Sequence, residues 1–336
     1  DLHLSLRRQR QMCIRDSIIG LLNDKFGCKI FIAVGFLLLS FFYLSLSQFH
    51  DFFLLFFFFL LGGLGMNLAD TSLRSFIYKR ADSRDGKDMG LFSFYVTFGI
   101  SIGTLIGGFL LYLLSFNILF LYSFLSSCII ALFSLFIVKE EKVEIKDRWK
   151  IRYRDHILSK HVIFFSILLF IFTLHWGVES TCYAPFLKQA FGLDTYLSGI
   201  YISTALLAMS FTSLKAGSVV EKKSRLLFIT GLFLSGLGHI SMTFKPLHIS
   251  YIGRVIHEIG DGLFNVSFMW VLAKIFPKRI IGGTVNFVFN IIIIAQATGS
   301  IFFSSIGYSL NYSVPFLISG ILIILLIPFF IREVYH

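Results

Sequence analysis

The chain has 336 residues, of which 56% are hydrophobic, and a mean hydropathy of +0.80, so no soluble globular class fits it. The formal net charge is +11, but the lysines and arginines sit in short loops between apolar runs rather than on one face or in an aromatic-interleaved patch, so no nucleic-acid partner is expected. Cys13, Cys28, Cys128 and Cys182 are scattered without disulfide or metal-ligand spacing, and runs such as Phe56 to Phe59 read as lipid-facing bulk rather than an aromatic cage.

Residues 1–16 carry Arg7, Arg8, Arg10 and Arg15, and charged side chains at bilayer depth are costly, so this leader is expected to be non-native or disordered. The stretch Gly20-Leu21-Leu22-Asn23-Asp24-Lys25-Phe26-Gly27-Cys28-Lys29 then places a charged turn between apolar segments. A degenerate copy, Gly217-Ser218-Val219-Val220-Glu221-Lys222, recurs in the second half. In both, a glycine is followed four positions on by an acid and then by lysine, which suits a tight reversal between membrane helices with its charges at the water boundary.

The first copy resembles the loop signature G-x-L-x-D-[RK]-x-G-[RK]-[RK] of the major facilitator superfamily. Gly20, Leu22, Asp24, Lys25, Gly27 and Lys29 fit it, and Cys28 stands where a basic residue is usual. The resemblance implies an all-α polytopic membrane protein of two helix bundles that works by alternating access. It implies a conformational latch made by Gly20, Asp24, Lys25, Gly27 and Lys29, with Glu221 and Lys222 from the second copy. It also implies that the first helix and most of the second of a twelve-helix plan are missing.

A bilayer-spanning helix needs about 20 mostly apolar residues. After the opening turn such segments fall at 29–48, 52–76, 89–114 and 117–138, completing with the remnant 17–23 an N-terminal bundle over 17–138. In the second of these, Asp70 follows Gly62-Gly63-Leu64-Gly65 and faces either a central cavity or an inner-boundary charge cluster with Asp24 and Arg74. In the third, Gly99, Gly103, Gly107 and Gly108 resemble the G-x-x-x-G-P-x-x-G-G signature of proton-coupled antiporters, with Thr104 in place of proline. Glycines four apart also let helix backbones approach closely, so a helix-packing role is expected for them. Ser93, Thr97 and Ser101 recur at one-turn steps on the same segment, suited to substrate or to interhelical hydrogen bonds.

The mixed-charge stretch 139–160 reads as a cytoplasmic linker, and 161–336 as the C-terminal bundle with segments 161–186, 196–219, 225–244, 247–275, 282–308 and 312–332. That makes ten complete spans, helices 3 to 12 of the plan. His175 and Glu179 lie four apart in 161–186, beside Trp176 and near Pro185. Segment 247–275 is the chemically richest: Arg254, His257, Glu258, Asp261 and Asn265 form one helical stripe, which cannot face lipid. Intramembrane ionisable groups mark a substrate or ion path by default, and a self-neutralising network that only positions helices is the structural alternative. Asn286 and Asn290 follow in 282–308.

The positive-inside rule supports the count, because only Lys188 and Lys245 fall on the side opposite the other loop lysines and arginines. The expectation is a multi-pass protein of a bacterial-type inner membrane, with the linker and C-terminus cytoplasmic. It is expected to be a monomeric secondary transporter, coupling protons to a small-molecule substrate. The expected path is Asp261, Glu258, His257, Arg254, Glu179, His175, Asn265 and Asp70, with Asp261 as the principal proton carrier and Arg254 paired to Glu179. No Walker-type motif, cofactor or enzymatic activity is expected. His257-Glu258-Ile259-Gly260-Asp261 invites a metalloprotease reading, but Asp261 stands where a second histidine belongs and no third ligand shows in the spacing, so no metal is expected. A non-transporting receptor or scaffold is the remaining alternative.

Overall fold

The computed structural model describes residues 19, 22, 23, 26–80, 86–139, 156–276 and 281–334. The leader 1–16, the latch residues Gly20, Asp24 and Lys25, and residues 140–155 of the linker lie outside the described residues. Among the described residues there are nine α-helices and no strand: α1 (Lys29–Gln48), α2 (Phe52–Arg80), α3 (Gly86–Leu113), α4 (Phe116–Ile137), α5 (Lys160–Phe191), α6 (Thr195–Ser241), α7 (Leu247–Ile275), α8 (Ile281–Ser309) and α9 (Ser313–Val334). Runs this apolar become helices because lipid offers no partner to a backbone amide, so each segment must satisfy its own.

Eight of these helices are long and apolar enough to cross a membrane; α7, which carries Arg254, Glu258 and Asp261, is the exception. α6 runs through 47 residues, but Lys223 has non-helical angles (φ −129°, ψ 20°), so the helix bends at Glu221-Lys222-Lys223 where the sequence places the second charged turn. Counting its two arms separately gives ten helical segments among the described residues, against ten expected spans. α5 continues past Pro185 to Phe191, five residues beyond the expected 161–186 segment. Gly192 (φ +69°) stops it, its N–H donating to Lys188 O at 3.0 Å, and Asp194 then caps α6 by accepting from Leu197 N at 2.7 Å. Glycine followed two residues later by aspartate is thus a stop and a start in one short turn.

The helices group into two units. The first holds α1, α2, α4 and the opening turns of α8, to Asn290. Within it Asn23 ties the end of the opening turn to α2: Ser72 Oγ donates to its side-chain oxygen at 2.9 Å and Lys79 Nζ to its carbonyl at 2.8 Å. Gly27, at φ +93°, donates its N–H to the same carbonyl at 3.1 Å, a left-handed conformation that explains a glycine there. Asn286 Nδ2 donates to Ser75 Oγ at 3.2 Å, and Arg74 stacks its guanidinium 4.2 Å from the Phe289 ring while pairing with Asp70 at 2.8 Å. Here Asp70 pairs with Arg74 of its own helix, while Asp24, the third member of the expected inner-boundary cluster, lies outside the described residues.

The second unit holds α3, α5, α6, α7, α9 and the rest of α8. α6 is its spine, packed on α3, α7 and α9. The expectation that Gly99, Gly103 and Gly107 pack against another helix is corrected here: a Cβ on any of them meets nothing within 4 Å, and only Gly108 of the four nears another backbone, at 3.5 Å from Gly199 Cα. The close approach on α3 comes at its other end, where a Cβ on Gly217 would stand 2.7 Å from Gly90 Cα. Small residues permit contact, but the neighbour decides which of them use it.

This contrast is testable. Gly217→Val forces α3 and α6 apart and is expected to cost on the order of 1–3 kcal/mol, whereas Gly103→Ala meets no atom and gains up to about 1 kcal/mol of helix propensity. Thermal melting in detergent should therefore fall for the first and hold or rise for the second. The reverse order would contradict the packing described.

Candidate functional site

The second unit buries an ionic cluster built from α5, α6 and α7. The stripe of α7 places Arg254, His257, Glu258 and Asp261 on one buried face, with Arg254 and Asp261 meeting α5 and His257 meeting α6. A single glycine makes room: a Cβ on Gly238 would come within 2.5 Å of His257 Cβ, so the second arm of α6 can lie against α7 only without a side chain there. His175 and Glu179, one turn apart on α5, face the same centre.

Arg254 is the cationic anchor. One guanidinium nitrogen donates to Glu179 Oε1 and the other meets Glu258 Oε1, while the guanidinium carbon lies 4.5 Å from the Tyr183 ring centroid. The expected Arg254–Glu179 pair is present, and so is the alternative pairing with Glu258 one turn along α7. The planar fork of Arg254 holds the two acids in a fixed geometry that the point charge of a lysine would not impose. With three carboxylates against one guanidinium, the cluster is acidic whenever its imidazoles are neutral.

Asp261 is the second node. Trp176 Nε1 donates to its Oδ2 at 2.9 Å, with His175 Nε2 at 3.3 Å and His257 Nε2 at 3.7 Å from the same oxygen. Glu179 Oε1 is the third, 3.1 Å from His257 Nε2 and 3.6 Å from His239 Nε2. The imidazoles are held from behind. His257 Nδ1 lies 2.9 Å from Ser235 O, His239 Nδ1 lies 2.8 Å from Ser319 Oγ, and His175 Nδ1 is in hydrogen-bond contact with Phe172 O. The His239 and His257 rings stack at 4.1 Å. Glu179, whose side chain keeps 20% of its surface exposed, is the most accessible member.

The other expected site residues stand elsewhere. Asn265, three turns beyond Arg254 on α7, donates to Ser93 Oγ at 2.9 Å, and Ser93 donates on to Ser213 Oγ at 3.0 Å, a hydroxyl-amide link among α3, α6 and α7. Asp70 belongs to the first unit with Arg74. Of the latch residues described, Glu221 accepts the Gly86 N–H at 3.1 Å, Lys222 is exposed, and Lys29 opens α1.

His239 was not among the expected residues, although a lone histidine in an otherwise apolar segment is itself a sign of burial at a functional site. Nor was the histidine-carboxylate quartet anticipated: one ligand atom each from His175, Glu179, His257 and Asp261 all lie within 4.8 Å of one another. α5 thus supplies what the spacing along α7 lacks.

The family model for the Major Facilitator Superfamily matches residues 17–229 and, in a second match, 165–336. Among solved structures, the proton:xylose symporter XylE bound to 6-bromo-6-deoxy-D-glucose superposes with a TM-score of 0.76 at 17% identity, covering 94% of this chain and 82% of that one. The human organic anion transporter MFSD10 (TETRAN) gives 0.71 at 13% identity over 92% and 82%. The fucose:proton symporter FucP of E. coli gives 0.69 at 13% over 95% and 86%. At these identities the likeness is one of fold. No curated protein sequence matches.

Proposed function

The chain belongs to the Major Facilitator Superfamily and is a multi-pass membrane transporter, and from that premise we propose that it moves a small solute by alternating access in exchange for, or together with, protons. The observation that carries the reading is the buried cluster of Arg254, Glu179, His257, Glu258 and Asp261, because charges within a membrane are expensive even when paired and mark a substrate or ion path by default. In this reading Asp261, Glu258 and the histidines carry protons, and Arg254 holds Glu179 and Glu258 in register. The two copies of the charged turn act as latches between the access states, through Asp24 in the first and Glu221 in the second. The rocking bodies are the bundles 17–138 and 161–336, joined by the cytoplasmic linker 139–160, and the monomer is the working unit of an inner membrane.

XylE and FucP are, by name, proton symporters of sugars, and MFSD10 a transporter of organic anions, so monosaccharides and organic anions are the first solutes to try. Proteoliposomes loaded with a pH indicator should show a proton movement when a transported solute is added. A solute that crosses without any proton movement would remove the coupling from this reading, and a receptor or scaffold would move none at all.

A further inference from the structure

We propose that His175, Glu179, His257 and Asp261 form a binding site for a divalent transition-metal ion of borderline softness, such as Zn²⁺ or Co²⁺, and that this ion is a cargo of the transporter. The binding stands on geometry alone, and the cargo assignment rests on the transport reading above.

The donor set comes first. Two imidazole nitrogens and two carboxylate oxygens suit first-row transition metals, whereas Mg²⁺ and Ca²⁺ take six or more oxygens. The four ligand atoms already lie within 4.8 Å of one another. A tetrahedral ion with bonds of about 2.1 Å needs them about 3.4 Å apart, so the widest pair must close by roughly 1.4 Å, within the reach of side-chain rotation.

The second observation concerns which nitrogen each histidine presents. His257 Nδ1 faces Ser235 O at 2.9 Å and His175 Nδ1 faces Phe172 O. A carbonyl can only accept, so Nδ1 carries the proton, and in the neutral ring Nε2 is left with its lone pair. This is the outer-shell arrangement that orients metal-binding histidines. Both Nε2 atoms point at other acceptors: His175 Nε2 at Asp261 Oδ2, 3.3 Å away, and His257 Nε2 at Glu179 Oε1, 3.1 Å away. Each Nε2 therefore holds either a second proton, as imidazolium, or a cation that bridges it to the carboxylate it faces.

The remaining observations agree. His257 Nε2 and Asp261 Oδ1 are buried and make no aligned hydrogen bond, so each has coordination to spare. With the imidazoles neutral, three carboxylates around one guanidinium leave an excess of negative charge that a dication offsets. The side chains stand in contact with one another, so a single ion fits among them where a sugar ring would have to push them apart. Glu179, the partly exposed ligand, and the neighbouring exposed Ser180 mark the side from which an ion would enter.

The test uses purified protein in detergent, stripped with a chelator and equilibrated with CoCl₂. The expected result is one Co²⁺ per chain by elemental analysis, with the intense visible absorption of a tetrahedral nitrogen-oxygen site. His257→Ala should weaken binding at least tenfold, and Asp261→Asn, which keeps the volume, guards against misfolding as the cause. His50→Ala, at an exposed histidine, should leave it unchanged. Absence of stoichiometric binding, or binding equal in wild type, His257→Ala and Asp261→Asn, overturns the site. Proteoliposomes enclosing a Zn²⁺ indicator then read uptake of ZnCl₂: influx reduced in both variants supports the cargo assignment, and binding without influx overturns it. Failure to bind leaves the transport reading to its own proton-movement assay, so the two can fall separately.

Discussion

Arg254→Gln is expected to be the most damaging single substitution in the second unit. Among the described residues the guanidinium is the one side chain that ion-pairs with both Glu179 and Glu258, and all three are largely removed from water. Breaking a buried ion pair by removing one partner typically costs about 3–5 kcal/mol, because the surviving charge stays buried without its counterion. Here two survive. The variant should melt far below wild type in detergent or elute as aggregate. Adding Glu258→Gln removes one orphaned acid, so the double variant should recover part of the loss. Arg254→Lys should fall between, since an ammonium cannot bridge two carboxylates with a planar fork. An Arg254→Gln protein that melts with wild type would mean that the cluster bears no structural load.

Asp261→Asn is expected to leave the fold and abolish concentrative transport. The amide keeps the size of the side chain, and its oxygen can still accept from Trp176 Nε1, now 2.9 Å from Asp261 Oδ2. What disappears is the charge that two imidazoles face. Melting should therefore move little beside Arg254→Gln. Solute should still equilibrate down its own gradient but no longer accumulate against it when a pH gradient is imposed. Accumulation at the wild-type level would take the proton-carrying role away from Asp261.

The architecture was legible because the bilayer leaves few choices. Apolar runs of spanning length, broken by basic loops, can only be helices, and the charged turns marked where α1 begins and where α6 bends at Lys223. The Arg254–Glu179 pair was also legible, because depth along two antiparallel spans follows from a fixed rise per residue. Depth says nothing about which helix lies alongside. His239 reaches the cluster only because Gly238 lets the second arm of α6 meet α7 at His257, a crossing that no spacing within either segment reveals. Asn265 shares the face of Asp261 but lies one turn beyond it, about 6 Å along the axis, and turns to Ser93 of α3 instead. Gly99, Gly103 and Gly107 show the same limit: the pattern permits close approach, and among the described residues no helix takes it up.

In the proposed function the buried cluster couples proton movement to solute movement. This coupling is tested most directly in proteoliposomes with an imposed pH gradient, following a panel of monosaccharides, organic anions and Zn²⁺ in the presence and absence of a protonophore. The expected result is accumulation of one of these solutes above equilibrium, collapsed by the protonophore and lost in Asp261→Asn. Accumulation that ignores the protonophore, or that survives in Asp261→Asn, would contradict the account.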